Sequence, residues 1–148
     1  MRTVQDILKT KNKDIWSIGP KIAVYDALKM MSDKEVGSLM VVDDEGKIAG
    51  IITERDYARK VILRGKASHD IPVEEIMTPR VEMYTVKPEN TVEECMVLIT
   101  AKKVRHLPVF DRETFAGLIS IGDVVKSIIA EQESLIEHLS NYIAGKYV

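Results

Sequence analysis

The sequence predicts a mixed α/β protein, of the α+β class, in which two tandem β-α-β-β-α repeats pack about a pseudo-twofold axis and an extended C-terminal helix follows. Three observations predict this arrangement. The chain repeats itself internally, each copy alternates helical and strand periodicity in the same order, and an apolar stripe continues beyond the second copy.

The internal repeat is found by comparing the sequence with itself. A shift of 68 residues places residues 17–43 on residues 85–111, and a shift of 67, after a one-residue deletion, places residues 48–56 on residues 115–123. Identical residues occupy 11 of the 36 aligned positions, which is far more than unrelated segments share. The chain is therefore a duplication of one small unit.

Each copy begins with a short extended piece, at residues 15–18 and 83–86, followed by a turn at a proline. The next segment has apolar residues at i, i+3, i+4 and i+7, which is the spacing of a helix with one buried face. These residues are Val24, Ala27, Leu28 and Met31 in the first copy and Val92, Cys95, Met96 and Ile99 in the second. Thr91 and Glu94 have the spacing of a capping box at the start of the second of these helices.

Two nearly continuous apolar runs follow this helix in each copy, and they predict two strands of a sheet that helices cover. The runs comprise residues 38–42 and 48–52 in the first copy and residues 107–110 and 115–119 in the second. A further helix begins at Thr53 or Ser120. Because one copy is too small to bury its own sheet well, we expect the two copies to share a core.

A polar connector and a helical tail complete the chain. Residues 64–72 contain Gly and Pro between the copies, so we expect the first repeat over residues 1–66, the second over residues 67–130 and a tail over residues 131–148. One helical stripe of the tail region is apolar except for a glutamine: Val125, Ile128, Ile129, Gln132, Leu135, Ile136, Leu139 and Ile143. Packing of this stripe on its own chain and a place in a dimer interface both remain open.

The composition excludes several classes of protein. The net charge of −2, from 21 basic and 23 acidic residues, argues against a general nucleic-acid binder. The single cysteine, Cys95, allows neither an intrachain disulfide nor a cysteine metal cluster, and the three histidines lack metal-ligand spacing. No signal-like segment and no apolar run of about 20 residues occurs, so we expect a cytoplasmic protein without a membrane partner.

A seven-residue motif stands at the same place in both copies, where the second strand passes into a helix. The two motifs are Gly50-Ile51-Ile52-Thr53-Glu54-Arg55-Asp56 and Gly117-Leu118-Ile119-Ser120-Ile121-Gly122-Asp123. The glycine permits close approach of a ligand, the hydroxyl residue lies where a helix N-terminus favours an anion, and the carboxylate can accept both hydroxyls of a ribose. The alternative is plain helix capping, which needs the same Ser/Thr-x-x-Asp spacing.

These paired motifs resemble those of a tandem CBS-domain pair, or Bateman module. The segments Ile76-Met77-Thr78-Pro79 and Leu107-Pro108-Val109 are similar to the family as well, and the resemblance covers about residues 4–130. The chain looks like a small stand-alone prokaryotic CBS-pair protein. The resemblance implies a regulatory module that binds adenosine-containing ligands in clefts between its repeats. We expect AMP before ATP, ADP, NAD(H) or S-adenosylmethionine, together with a disc-shaped homodimer that also uses the C-terminal helix and an unknown regulated partner.

The resemblance also implies ligand-binding residues. Asp56 and Asp123 would hold ribose, and Thr53 and Ser120 would contact ribose or phosphate. Basic residues at the start of the family's first long strand often reach the phosphate, and the second copy alone has them there. The candidates are Arg105 and His106, with Arg55 and Arg80 as compensating residues for the first copy. We therefore expect the better phosphate site around Asp123.

The adenine is expected between apolar walls, bonded to the main chain. The residues implied are Val81, Met83 and Tyr84 for the second repeat and Ile15, Trp16 and Ser17 for the first. Tyr84 and Trp16 are aligned, and each could stack on a base or pack in the core.

We expect the protein not to be an enzyme. The duplication and its tail leave no room for a catalytic domain, such as the one that IMP dehydrogenase joins to its CBS pair. The sequence also has no nucleophile-elbow, GxGxxG or P-loop pattern. The alternative function is a structural or interaction dimer with vestigial clefts, acting through its tail helix or its disc face.

Overall fold

The computed structural model describes residues 2–11 and 14–145. The helices are α1 (Val4–Thr10), α2 (Val24–Lys34), α3 (Glu54–Lys60), α4 (Val92–Lys102) and α5 (Ile121–Ile143). The strands are β1 (Ser17–Ile18), β2 (Ser38–Val42), β3 (Ile48–Thr53), β4 (Thr78–Pro79), β5 (His106–Asp111) and β6 (Thr114–Ser120). Short 3-10 turns occur at Ile62–Arg64, Val73–Glu75 and Arg80–Glu82. The predicted mixed α/β class is confirmed.

Both copies of the predicted repeat are present. The first copy is β1-α2-β2-β3-α3, and the second is α4-β5-β6-α5 with its opening strand reduced to a parallel bridge between Val86 and Val109. Antiparallel pairing joins β2 to β3 and β5 to β6, while β1 lies parallel to β2 and β4 extends the first sheet beside β3. The long helix α5 continues without a break through the expected boundary at residue 131.

The compact units of the molecule differ from the sequence repeats. One unit, here the first-repeat unit, is Asp14–Tyr84, and the other, the second-repeat unit, joins Met1–Lys13 to Thr85–Val148. The second-repeat unit therefore includes the start of the chain, and the first-repeat unit includes the connector. We call residues 2–8 and 71–77 the lead-in segments of the second-repeat and first-repeat units.

The two lead-in segments are held by equivalent backbone hydrogen bonds. In the second-repeat unit, Val4 N donates to Asn90 O at 2.9 Å, Gln5 N to Pro88 O at 2.9 Å, and Val92 N to Arg2 O at 3.0 Å. In the first-repeat unit, Val73 N donates to Ile22 O at 2.8 Å, Glu74 N to Pro20 O at 2.9 Å, and Val24 N to Ile71 O at 2.8 Å. Each bond in one unit has its counterpart in the other, so the lead-in segment belongs to the repeated fold.

Each unit has its own buried core, whereas the sequence suggested a shared one. The core of the first-repeat unit comprises Ile18, Val24, Ala27, Met31, Leu39, Val41, Ile52, Val61, Ile71, Val73 and Ile76. The core of the second-repeat unit comprises Val4, Ile7, Val86, Val92, Cys95, Ile99, Leu107, Val109, Ile119 and Val124. Both are aliphatic, because the chain has only two Phe and one Trp. The lead-in segments supply the missing cover through Val73 and Ile76 in one unit and Val4 and Ile7 in the other.

Helix starts show two departures from the predictions. The connector is packed against α2, since Tyr25 N donates to Ser68 O at 3.0 Å and the rings of Tyr25 and His69 stack at 4.0 Å. At α4, Thr91 Oγ1 accepts from Glu94 N at 3.1 Å, but the Glu94 carboxylate accepts from Asn90 Nδ2 at 2.6 Å. The predicted capping box is therefore only half formed.

Both motif glycines lie against a lead-in segment. A Cβ atom at Gly50 would lie 2.3 Å from the Thr78 carbonyl oxygen and 3.0 Å from Met77 Sδ. A Cβ atom at Gly117 would lie 2.8 Å from Leu8 Cδ2. Met77 and Leu8 are equivalent positions of the two lead-in segments. The absence of a side chain is therefore required by packing at Gly50, where the neighbour is backbone, whereas the neighbour of Gly117 is the end of a flexible leucine side chain. The predicted approach of a ligand stays a separate hypothesis.

We predict that Gly50→Ala lowers the free energy of unfolding by about 1–3 kcal/mol, because the new methyl group meets rigid backbone. Urea denaturation measures the change. Gly122→Ala is the matched control, since its Cβ would meet nothing closer than Ser120 Oγ at 3.5 Å. The control should keep or slightly raise stability. Equal losses in the two variants would contradict the packing role of Gly50.

Candidate functional site

The first motif forms a closed capping box at the start of α3. Thr53 ends β3, and its Oγ1 accepts from Asp56 N at 3.1 Å, while Asp56 Oδ2 accepts from Thr53 N at 3.0 Å. Lys60, one turn further along α3, lies with its Nζ 3.2 Å from Asp56 Oδ1 and donates to Ile76 O at 2.9 Å. Both carboxylate oxygens of Asp56 are therefore engaged, and its side chain is only 12% exposed.

The second motif repeats this arrangement at the start of α5. Ser120 ends β6, and its Oγ accepts from Asp123 N at 3.2 Å, while Asp123 Oδ2 accepts from Ser120 N at 2.8 Å. The ammonium comes from outside the motif, since Lys11 Nζ lies 2.5 Å from Asp123 Oδ2. Within the described part of the chain both bonds of the carboxylate fall on Oδ2, and the side chain is 23% exposed. Asp123 is thus the more accessible of the two carboxylates.

Electrostatics favour the ionised form of Asp123. Burial raises the pKa of this carboxyl, but the hydrogen bonds from Lys11 and from the Ser120 backbone N–H outweigh that cost, and the pKa lies below its usual value. The site therefore holds an anionic acceptor beside an ammonium group and a helix N-terminus. Such an arrangement can accept hydroxyl groups and attract a phosphate at neighbouring points.

Helix capping and ligand binding are predicted for the same hydroxyl and carboxylate residues of the two motifs. The structure forms the capping box at both motifs, as the alternative interpretation of the Ser/Thr-x-x-Asp spacing required. Ligand contact at Thr53, Asp56, Ser120 and Asp123 stays a prediction. The two roles are compatible at Asp123, because capping uses one carboxylate oxygen only.

The structure brings the basic residues of the second copy to the motif. His106 is the first residue of β5 and is paired with Ser120 across the strands, and Arg105 O accepts from Ile121 N at 2.8 Å. The first copy has the same geometry without the charges, since Ser38 pairs with Thr53. Arg55 and Arg80, the proposed compensating residues, lie in the first-repeat unit and are half-buried.

All six residues expected near adenine lie in the first-repeat unit. Trp16 packs against the core of that unit, with Lys34 Nζ 4.2 Å from its ring centre, so the core-packing alternative describes its environment. Ser17, Ile15 and Tyr84 are exposed, Met83 is half-buried, and Val81 is 90% exposed. The association of residues 81–84 with Asp123 stays a prediction.

Cys95 is an inert core residue, as predicted. Its side chain is fully buried in α4. Burial, with a smaller contribution from Glu94 and Glu93, raises the pKa of the thiol to about 11. The group therefore stays protonated and is a poor nucleophile at neutral pH.

Sequence reasoning missed helix α1 and the two lysines that bond the motif carboxylates. A signal for α1 was present, because Thr3 and Asp6 repeat the Thr-x-x-Asp spacing and form a third closed capping box, with Thr3 N donating to Asp6 Oδ2 at 2.9 Å. Lys60 could have been found from its i+4 spacing to Asp56. Lys11 had no such signal, since 112 residues separate it from Asp123.

Comparison with known proteins assigns the family. The CBS-domain model matches this chain twice, over residues 4–63 and 73–130, so the chain belongs to the CBS-domain family and is a tandem pair. It is 40% identical over 152 residues to the CBS domain-containing protein CBSX3, mitochondrial, of Arabidopsis thaliana, covering 98% of this chain and 73% of that protein.

Solved structures agree with the assignment. A protein with CBS domains from Burkholderia ambifaria is 50% identical, with a TM-score of 0.82 over 88% of this chain and 96% of that one. The structure of CBSX2 in complex with AMP is 26% identical, with a TM-score of 0.71 over 89% of this chain and 99% of that one. The predicted CBS-pair fold is confirmed.

The residues that the structure describes contain neither a membrane-spanning helix nor a cluster of metal-ligating side chains. None of the helices in residues 2–11 and 14–145 is both long and apolar enough to cross a bilayer. Over the same residues, no group of three His, Cys, Asp or Glu side chains is placed to hold a metal ion.

Proposed function

We propose that this CBS pair is a regulatory, non-catalytic protein that binds an adenine nucleotide, with AMP as the first candidate. The observation that carries the proposal is the similarity to CBSX2, whose structure was solved with AMP and aligns with 89% of this chain. The two capping-box motifs provide the matching chemistry, because each holds a carboxylate at the N-terminus of a helix.

The second motif is the better nucleotide site in this proposal. Oδ1 of Asp123 is open to a ribose hydroxyl, and the N-terminus of the 23-residue helix α5 attracts the phosphate. Arg105 and His106 stand beside this motif, whereas the first motif has a more enclosed carboxylate and no equivalent basic pair. ATP, ADP, NAD(H) and S-adenosylmethionine share the adenosine group and are the next ligands to test.

Regulation would proceed through a shift between conformations that bind the nucleotide with different affinity. Helix α5 would transmit this shift, because its first turn forms part of the proposed nucleotide site and its outer turns expose an apolar stripe. A ligand that fixes the N-terminus of α5 would bias the position of that stripe. A regulated partner would then sense occupancy through α5, in a cytoplasmic location.

We predict that Asp123→Ala weakens AMP binding at least about tenfold, because it removes the ribose acceptor, and that Asp56→Ala weakens it less. Isothermal titration calorimetry with AMP measures both affinities. Asp44→Ala, in an exposed turn, is the control for loss of a negative charge. Equal losses at Asp56 and Asp123 would refute the asymmetry. No heat from the unmodified protein with any of the five adenosine ligands would refute nucleotide binding.

The exposed face of α5 favours a second candidate, an interaction protein that forms a homodimer. Seven large apolar side chains of α5 are 39–85% exposed: Val125, Ile129, Leu135, Ile136, Leu139, Tyr142 and Ile143. Positions 121, 125, 128, 132, 135, 139 and 142 alternate spacings of four and three residues, which is the pattern of a helix–helix seam with Gln132 as its polar member. A second copy of the chain supplies an identical stripe and is the occupant that we propose.

We predict that Leu139→Lys converts the homodimer to a monomer, because it places a charge in the apolar seam. Light scattering coupled to gel filtration measures the mass. Glu137→Lys, on the adjacent charged face of α5, is the matched control and should remain dimeric. A monomeric unmodified protein, or a dimer that survives Leu139→Lys, would contradict the role of α5. If nucleotides do not bind but α5 is required for dimerisation, only the interaction function is supported.

A further inference from the structure

Lys11, at the end of α1, contacts the second motif, although the two are far apart in the sequence. Lys11 Nζ lies 2.5 Å from Asp123 Oδ2 and donates to Leu118 O at 2.7 Å. The side chain of Lys11 is 32% exposed and that of Asp123 is 23% exposed. The ion pair therefore lies at the surface of the second-repeat unit, where a ligand could reach it.

In the first-repeat unit a different lysine bonds the motif carboxylate. There Lys60, on the motif helix itself, bonds Asp56 and the Ile76 carbonyl oxygen. The shift of 67 residues places Ser127 at the position of Lys60. Ser127 is buried, and its Oγ has no hydrogen-bond partner among the described residues. The second copy thus has no lysine at this position, and Lys11 from the N-terminal segment supplies the charge.

The bond to Asp123 does not use all the hydrogen-bond donors of the Lys11 ammonium. An ammonium group has three N–H donors, and the described part of the chain accepts two of them, at Asp123 and Leu118. The remaining donor can bond an anionic oxygen. The flexible four-carbon stem also allows the charge to pivot without moving the backbone.

We propose that Lys11 is a phosphate-binding residue of the nucleotide site at Asp123, an inference that rests on the function proposed above. A nucleotide whose ribose hydroxyls bond the Asp123 carboxylate would have its phosphate near the Lys11 ammonium, because Lys11 and Asp123 are in contact. Lys11 then adds a charged donor to the N-terminus of α5. The residue would favour nucleotides over the uncharged nucleoside.

The test is a comparison of AMP with adenosine by isothermal titration calorimetry. Lys11→Met should lower AMP affinity about tenfold, since a charged hydrogen bond is lost, while adenosine affinity is unchanged or higher because Asp123 is uncovered. Lys11→Arg should restore most of the preference for AMP. Lys60→Met, in the other motif, is the matched control and should keep the preference of the unmodified protein.

The outcomes separate this inference from the proposed function. If the unmodified protein prefers AMP and Lys11→Met keeps the same AMP-to-adenosine ratio, Lys11 is only a structural counter-ion and the inference is wrong. If the unmodified protein binds neither compound, the proposed function and the inference both fail. Thermal unfolding shows whether Lys11→Met is folded. Lys11→Gln, which keeps hydrogen-bond donors without the charge, is the second variant and should lose the preference as well.

Discussion

Backbone pairing of the lead-in segments is the interaction on which the rest of the structure depends. In each unit a short stretch outside the repeat donates to carbonyl groups at and just after the turn proline, for example Val4 to Asn90 and Val73 to Ile22. These bonds place Ile71, Val73 and Ile76 in one core and Val4 and Ile7 in the other. They also place Leu8 and Met77 against the motif glycines, and they bring Lys11 to Asp123. A CBS repeat in this protein is therefore complete only with its lead-in segment.

The origin of the lead-in segment makes the two units unequal in topology. The first-repeat unit takes it from the connector that follows, whereas the second-repeat unit takes it from the start of the chain. Cores, strand pairs and capping boxes are nonetheless equivalent. The differences concentrate at the motifs, where the second has a more exposed carboxylate, a basic pair at the strand start and a lysine delivered by α1. The structural role and the proposed ligand-binding role thus fall on the same few residues.

Much of the fold was predictable from local patterns. The 3.6-residue periodicity gave α2 and α4, the apolar runs gave β2, β3, β5 and β6, and the Ser/Thr-x-x-Asp spacing located the starts of α3 and α5. Helix α1 was missed because it has only seven residues in a polar segment, and its burial depends on residues 88–92. The separate core of each unit was missed for the same reason, since its cover comes from the lead-in segments.

The candidate site was predictable only in part. Spacing within one motif identifies the hydroxyl and carboxylate residues, and the strand register then places His106 opposite Ser120. No local rule connects Lys11 to Asp123, because contacts between distant segments follow from the tertiary fold. The packing constraint at Gly50 was not predictable either, because its neighbour Thr78 is distant in the sequence.

The most direct test of the account is an amide ¹H–¹⁵N spectrum of the unmodified protein titrated with AMP. The account predicts that the perturbed signals cluster at residues 118–124 and at Lys11, with smaller changes around Thr53–Asp56. Signals from the second motif that stay fixed at saturating AMP, or changes confined to the outer turns of α5, would contradict the claim that the capping-box carboxylates hold the nucleotide.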